Sequence, residues 1–357
     1  MATASGMHYE KGHMKPLRVL VLMHESLVPP ASLKGYTDAE IDEFQTELDV
    51  TSELEDAGHT VRALGMGDNL SDLRSAITDW KPDIAFNLLE EFQGIVTYDQ
   101  YVVAFLELMK QPYTGCNPRG MMISRDKVLS KQILAYHRIP TPGFVVFRKG
   151  QRYRLPSRLK FPLFVKSTTE DASLGIAQAS VVTDPEKLRE RVEFIHTQIN
   201  SDALVEEYIE GRELYVGVMG NERLRTFPVW EMDFGTLPEV MAGIATRKVK
   251  WDRRYQEKHG ISTSAAASLP DGVPAYLDKL SKRIYRALHM SGYARMDFRM
   301  RPDGSVFVLE ANANPNISDY EDFSESAKST GITYATLLEQ IIRLGRNYQA
   351  AWRIDEA

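Results

Sequence analysis

The first strongly patterned run is LRVLVLM at 17–23, an apolar stretch broken by one arginine that reads as a β-strand. From Leu17 to about Gly120, short β-rich runs alternate with helical periods. A helix from Thr37 or Asp38 to Ala57 closes at Gly58, a strand follows at 59–64, and a helix runs from Ser71 to Trp80. A strand at 83–89 and a helix from about Tyr98 to Met109 lead into PYTG at 112–115. That alternation predicts an N-terminal parallel α/β lobe over 17–120.

Near Asp126 the pattern changes. KVLSKQILAYH predicts a helix that Pro140 and Pro142 stop before the strand GFVVF. Strand FPLFVKS at 161–167, a polar glycine-containing loop at 168–175 and strand ASVVT precede a helix from Pro185 to Ile199, with Asp184 as its N-cap. Strand ALVEEYI at 203–209 ends this central α+β lobe, 121–210. The rest, 211–357, is a second α+β lobe: strands ELYVGVM and RLRTFPVWEM about a turn at Gly220, a helix from Pro274 to Met290, strands YARMDFRM and VFVLEAN about Pro302-Asp303-Gly304, and a helix from Tyr334 to about Trp352.

Composition narrows the class. A chain of 357 residues with 43% hydrophobic, 26% charged and 10% aromatic residues is an ordinary globular protein of two or three domains. Lys plus Arg number 43 against 49 for Asp plus Glu, so no electrostatic grip on nucleic acid or anionic lipid is expected. The longest apolar run near the start falls far short of the roughly 20 residues a bilayer needs. Residues 1–16 lack the apolar centre of a secretion signal and read as a flexible tail, so a cytoplasmic protein is expected. Cys116 is the single cysteine, which excludes an intrachain disulfide and a cysteine-ligated metal; beside Gly115 it reads as an inert, buried small hydrophobe.

The chemistry concentrates in residues 293–318, YARMDFRMRPDGSVFVLEANANPNIS. Strand alternation puts Arg295, Asp297 and Arg299 on one face, opposite Ala294, Met296, Phe298 and Met300. In the next strand Val306, Val308, Glu310 and Asn312 share a parity. A two- or four-residue loop sets Asp297 opposite Glu310, whereas a three-residue loop pairs Asp297 with Leu309; the former is expected. Two carboxylates about 4 Å apart repel by roughly 4 kcal/mol at an effective dielectric near 20, so a cation belongs between them. Arg295 is one candidate, and a hard divalent cation with Asn312 as a further oxygen ligand is the other.

These residues resemble the ATP-grasp superfamily, most closely its D-alanine-D-alanine ligase-like branch. The resemblance covers about Leu17 to Gly345 and rests on an ordered series of motifs. These are FNLLE (86–90), PYTG (112–115), RDK (125–127), FPLFVKS with its loop (161–175), LVEEYIEGRE (204–213), KVKWD (248–252), ARMDFR and LEANANPN.

The resemblance implies two α+β lobes that sandwich ATP. Lys127 and Lys166 then reach the phosphates, Glu206, Glu207 and Ile209 lie at the adenine, and Glu213 meets the ribose. Ser173 and Gly175 belong to the loop over the phosphates, and Lys250 is a further phosphate-contacting lysine beside the aromatic Trp251. Asp297, Glu310 and Asn312 match Mg²⁺ ligands, with Mn²⁺ as an alternative ion. Arg295 matches the arginine that steadies charge at the reacting carbonyl, so Arg295 and Lys250 are the catalytic pair.

The implied chemistry is an ATP-dependent carboxylate-amine ligation through an acyl phosphate, releasing ADP and phosphate. Its obstacle is negative charge, which cations rather than an acid-base pair must overcome. Neither a Gly-x-Ser-x-Gly nucleophile motif nor a Gly-x4-Gly-Lys-Ser/Thr phosphate loop is present.

The substrate end departs from the branch. MHESLVPPAS (23–32) stands where a glycine-rich segment is usual, and Asn316 stands for a glycine in the metal-adjacent loop. Glu25, Glu90, Asn316 and Ser318 are the candidate substrate contacts. The acidic stretch 318–328 reads as a solvated loop or as a recognition element for an ammonium group. Segment Arg247 to Lys258 reads as a solvated basic face or as a lid over ATP, flanked by small-residue runs at 242–246 and 262–268. The implied partners are small amino-acid or peptide substrates, with a homodimer a compatible assembly. Two other classes stay open: ATP-dependent phosphoryl transfer to a non-amine system, and a nucleotide-binding regulatory protein without turnover.

Overall fold

The computed structural model describes residues 15–168, 177–237, 244, 246, 249 and 252–354. Ser173, Gly175, Lys250 and Trp251 lie outside the described residues.

The N-terminal lobe is a parallel three-stranded sheet in the order β2-β1-β3, with β1 Arg18–His24, β2 Thr60–Met66 and β3 Ile84–Asn87. Val19 to Met23 are all fully buried, because the central strand of a parallel sheet is covered on both faces and needs an unbroken apolar run. The long helix expected from residue 37 is two pieces, α1 Asp38–Asp42 and α2 Gln45–Asp56. The break falls at Phe44, which leaves helical geometry (ψ 22°) to bury its ring against Tyr36. Helices α3 Ser71–Ser75 and α4 Asp99–Leu108 follow the predicted positions. Helix α5 Pro118–Arg125, capped by Asn117 with Pro118 in its first turn, was not anticipated.

Helix α6, Lys127–Tyr136, begins at the Asp126 cap and sits between lobes. Its Leu134 joins the large core, while Lys131 turns toward the central sheet and meets Glu206. That sheet has the order β4-β7-β5-β6: β4 Phe144–Phe147, β5 Leu163–Ser167, β6 Val181–Val182 and β7 Ala203–Glu207. Helix α7, Pro185–Phe194, covers it with Leu188 and Val192 against Val165 and Val205.

The C-terminal sheet runs β11-β10-β8-β12-β13, with β9 on β8. Strand β8 is Arg212–Met219. The long strand expected at 223–232 is split into β9 Arg225–Thr226 and β10 Trp230–Asp233, since Pro228 between them has no N–H to donate. Part of the basic segment is a helix, α8 Arg253–His259. The small-residue run after it is β11 Ser262–Ala265, antiparallel to β10 rather than a flexible flank.

Helix α9 is Val273–Ala287, and strands β12 Tyr293–Met300 and β13 Val306–Ala313 form the hairpin. The acidic stretch is not a solvated loop. It holds α10 Asp322–Lys328, whose Phe323, Ser324, Ser326 and Ala327 are buried. Helix α11 Tyr334–Asn347 ends earlier than expected, and a short α12 Ala351–Ile354 follows. The architecture is the predicted one, a parallel α/β lobe followed by two α+β lobes.

Helix α11 is distant in sequence from the parallel sheet, yet Leu337, Leu338, Ile341 and Ile342 pack with Val19, Val21 and Phe86 in one cluster. Leu338→Ala removes a fully buried side chain from that seam and is expected to cost about 2–5 kcal/mol of stability, read as a lowered urea midpoint. A change below about 0.5 kcal/mol would show that the helix is not held by this packing.

Candidate functional site

Asp297 lies directly opposite Glu310, but not for the expected reason. The hairpin loop is three residues, since Arg301 N–H donates to Ser305 O at 2.9 Å, and that length alone would pair Asp297 with Leu309. A bulge between Asp297 and Phe298 shifts the register by one residue and restores the Asp297–Glu310 pairing. Asn312, two residues along, then falls on the same side and donates from Nδ2 to Asp297 Oδ2 at 3.1 Å.

Arg295 meets Asp297 through two bonds, Nε to Oδ1 at 2.8 Å and Nη2 to Oδ2 at 3.0 Å, and its guanidinium lies over the Tyr215 ring at 4.8 Å. Burial opposes its charge, but Asp297 and then Asp322 overcome that and hold the guanidinium proton more tightly than in water. Asp297 is therefore compensated by a fixed cation, while Glu310 and Asn312 line a cavity of about 450 Å³ together with Arg295, Glu90, Arg125 and Asn316. Among the described residues no cluster of three or more His, Cys, Asp or Glu side chains could hold a metal. A cation here would draw on Asp297, Glu310 and the amide oxygen of Asn312, an all-oxygen set suited to a hard divalent ion.

A buried triad of charge lies where α6 meets the central sheet. Glu206 on β7 is 2% exposed; Lys131 Nζ sits 2.9 Å from its Oε2 and Lys166 Nζ, from the neighbouring β5, 3.0 Å from its Oε1. Burial raises the carboxyl's proton affinity, yet the two ammonium groups outweigh it and hold Glu206 below the usual carboxylate range. Lys127 is also buried, with its backbone N–H donating to Thr168 O. Glu207 is half-exposed and ion-paired with Arg301 of the hairpin. Ile209 is buried.

Glu213 is buried and held at both oxygens, by Arg299 Nη2 at 2.7 Å and by Tyr215 OH at 2.8 Å. Gly211, between these acids, is the residue the close approach demands. At φ 142° it passes Met300 so tightly that a Cβ would sit on its carbonyl.

The four candidate substrate residues part company. Glu90 and Asn316 line the cavity. Asn316 Oδ1 accepts from Thr46 Oγ1 of α2 at 2.9 Å and from Ser318 N–H at 2.8 Å, so it joins the N-terminal lobe to the loop after β13. Ser318 is fully buried, and Glu25, in a short turn against Gly67, is exposed and outside the cavity lining. The left-handed residue in the loop after β13 is Asn314 (φ 49°), not Asn316.

Asn314 Oδ1 accepts the Cys116 N–H at 2.7 Å, so the end of the PYTG segment holds the loop that follows the acid-bearing strand β13. Cys116 is buried and its thiol is pushed up to about 12 by that burial, which leaves it inert. Lys131 and the Arg125–Asp99 pair (2.6 Å) were missed in the sequence. For Lys131 the clue was its place four residues after Lys127 in KVLSKQIL.

The D-ala D-ala ligase C-terminus family model matches residues 133–343. A Bordetella petrii D-alanine–D-alanine ligase is 31% identical over 66% of this chain and 69% of its own length. A Sinorhizobium fredii protein, uncharacterized protein y4sG, is 34% identical over 72% of this chain and 73% of its own. The Bacillus anthracis D-alanine–D-alanine ligase structure superposes with a TM-score of 0.74 at 23% identity, covering 96% of this chain and 100% of that one.

The chain therefore belongs to the D-alanine–D-alanine ligase family of the ATP-grasp superfamily, ATP-dependent ligases that form an amide bond. No described helix is long and apolar enough to cross a membrane.

Glu47 on α2 lies behind this cavity. Burial pushes its carboxyl from 4.5 up to about 7, against a hydrogen bond to its own backbone and helped by the charge of Glu90. The folded chain thus keeps a proton that the unfolded chain has lost, so stability falls as pH rises from about 4.5 through about 7. Glu47→Gln is expected to match wild type at about pH 5 and to exceed it by on the order of 1 kcal/mol or more at about pH 8, in urea titrations. Equal differences at both pH values contradict the assignment.

Proposed function

We propose that the protein joins the carboxylate of one amino acid or small peptide to the amine of another, with ATP activating the carboxylate as an acyl phosphate. The observation that carries this reading is the facing pair Asp297–Glu310 with Asn312, in a chain that also buries Lys131 and Lys166 on the carboxylate of Glu206. In this reading Lys127 and Lys166 hold the phosphates, joined by Lys250 and by the backbone of the Ser173–Gly175 loop. The segment at Glu206, Glu207 and Ile209 receives the adenine, and Glu213 the ribose.

Asp297, Glu310 and Asn312 would hold Mg²⁺, or Mn²⁺, whose chemistry is to neutralise charge on the phosphoryl oxygens. Arg295, fixed by Asp297, stands beside that site with further N–H groups to steady negative charge as the carbonyl is attacked. No covalent nucleophile is needed, and none of these residues must change its protonation. The chain's task is to pre-position cations, so that little reorganisation accompanies the reaction.

The cavity walls carry Asp42, Glu90, Glu321 and Asp322 against Arg125 and Arg295, a balance that suits the ammonium groups of amino acids. D-alanine, the substrate in the names of the ligase relatives, is thus the first candidate in a wider panel.

Phosphate release measured with pairs of D- and L-amino acids and dipeptides tests the reading. Release should require two substrates together, and Asp297→Ala should lower it on the order of 10²-fold or more. Equal ATP hydrolysis by wild type and variant under every pairing contradicts it. Trapping with hydroxylamine should yield a hydroxamate, which a protein that stops at phosphoryl transfer to a non-carboxylate would not give.

A further inference from the structure

Lys131 is 2% exposed, and its ammonium group is held between two elements. Its Nζ meets Glu206 Oε2 at 2.9 Å and donates to Thr141 Oγ1 at 2.9 Å. Thr141 Oγ1 in turn donates to Val308 O at 3.2 Å, and Val308 N–H donates to Pro140 O at 2.9 Å. Val308 is two residues before Glu310, on the strand whose bulge sets the acid pair. One buried ammonium group thus touches both the carboxylate that holds Lys166 and the segment that abuts the strand bearing Glu310.

A single lysine on a buried carboxylate forms a neutral, closed pair, whereas two lysines on one carboxylate leave the triad with a net positive charge. Burying a lysine is costly unless it is paired, and Lys131 is paired with a carboxylate that already holds Lys166. We infer that Lys131 is a positioning residue that shares Glu206 with Lys166. By doing so it keeps the positive charge of Lys166 available to an anion and links its placement, through Thr141 and Val308, to the acid strand. The inference rests on the reading that Lys166 meets the ATP phosphates.

Loss of Lys131 leaves Glu206 to Lys166 alone, and the group goes from a net charge of one to zero. Loss of both Lys131 and Glu206 returns it to one, carried by Lys166. Charge sharing therefore predicts that losing Lys131 costs less ATP affinity when Glu206 is already uncharged, whereas a role in packing alone predicts the same cost in both backgrounds.

The test is the affinity for ATP, measured by calorimetry on the full chain without amino-acid substrate, for wild type, K166M, K131M, E206Q and K131M/E206Q. Each variant's folding is checked by thermal unfolding. Lys166→Met should weaken ATP binding; if it does not, the reading of the phosphate site fails and this inference with it. Given that loss, Lys131→Met should weaken ATP about tenfold in the wild-type background and less than threefold in the E206Q background, a comparison that cancels any contact Glu206 itself makes at the adenine. An equal loss in both backgrounds, or a K131M that binds like wild type, overturns the inference and leaves the phosphate reading intact.

Should K131M not fold, T141V keeps both charges and removes only the hydroxyl between Lys131 and Val308. It should weaken ATP two- to threefold, and unchanged affinity overturns the link to the acid strand.

Discussion

Two carboxylates set opposite each other on adjacent strands repel, and the rest of this site is arranged around that constraint. Asp297 and Glu310 face each other only because a bulge displaces the hairpin by one residue, and a relaxed ladder would have turned Glu310 away. The repulsion is answered first from within the chain, by the two-bond contact of Arg295 with Asp297. Asn312 adds a donor to the same carboxylate, which leaves its amide oxygen for another partner. Glu310 and Asn312 line the cavity beside that guanidinium.

The same logic recurs at the central sheet with the signs exchanged. There Glu206 is the single anion between two buried lysines, and burial makes each contact stronger than it would be in water. The two charge centres belong to different sheets, so their separation depends on packing between lobes. Helix α6 supplies part of it, with Leu134 in the large core and Lys131 at the small sheet. The PYTG segment supplies another part, through the bond from Cys116 N–H to Asn314. At Gly115, with φ 91°, a Cβ would strike that same asparagine side chain, so the glycine is required by the contact and not merely by the turn.

The lobes and most elements were legible in the sequence because periodicity reports burial, and burial is local. The unbroken apolar run of β1 and the alternating face of β12 needed no further information. Elements went astray where a tertiary contact overrode the local signal. Phe44 breaks a helix to bury its ring, and α10 forms within an acidic stretch because Phe323 and Ala327 have a sheet to cover. In the site, the acid pair was read correctly through an incorrect loop length, since a bulge has no signature that alternation can reveal. Lys131 was passed over because a lysine in a helix is normally solvated, and only the fold shows this one enclosed by Glu206 and Thr141. Asn314 and Thr46 were silent for a similar reason, since each matters through a partner far away in the chain.

The central claim is that the strand pair and the lysines act on one metal-bound nucleotide. The most direct measurement is electron paramagnetic resonance of Mn²⁺ titrated into the full chain with a non-hydrolysable ATP analogue. The account predicts that the signal of free Mn²⁺ is quenched by wild type only when the nucleotide is present, and that Glu310→Gln weakens this binding on the order of tenfold or more. Quenching of equal strength in wild type and Glu310→Gln would contradict it.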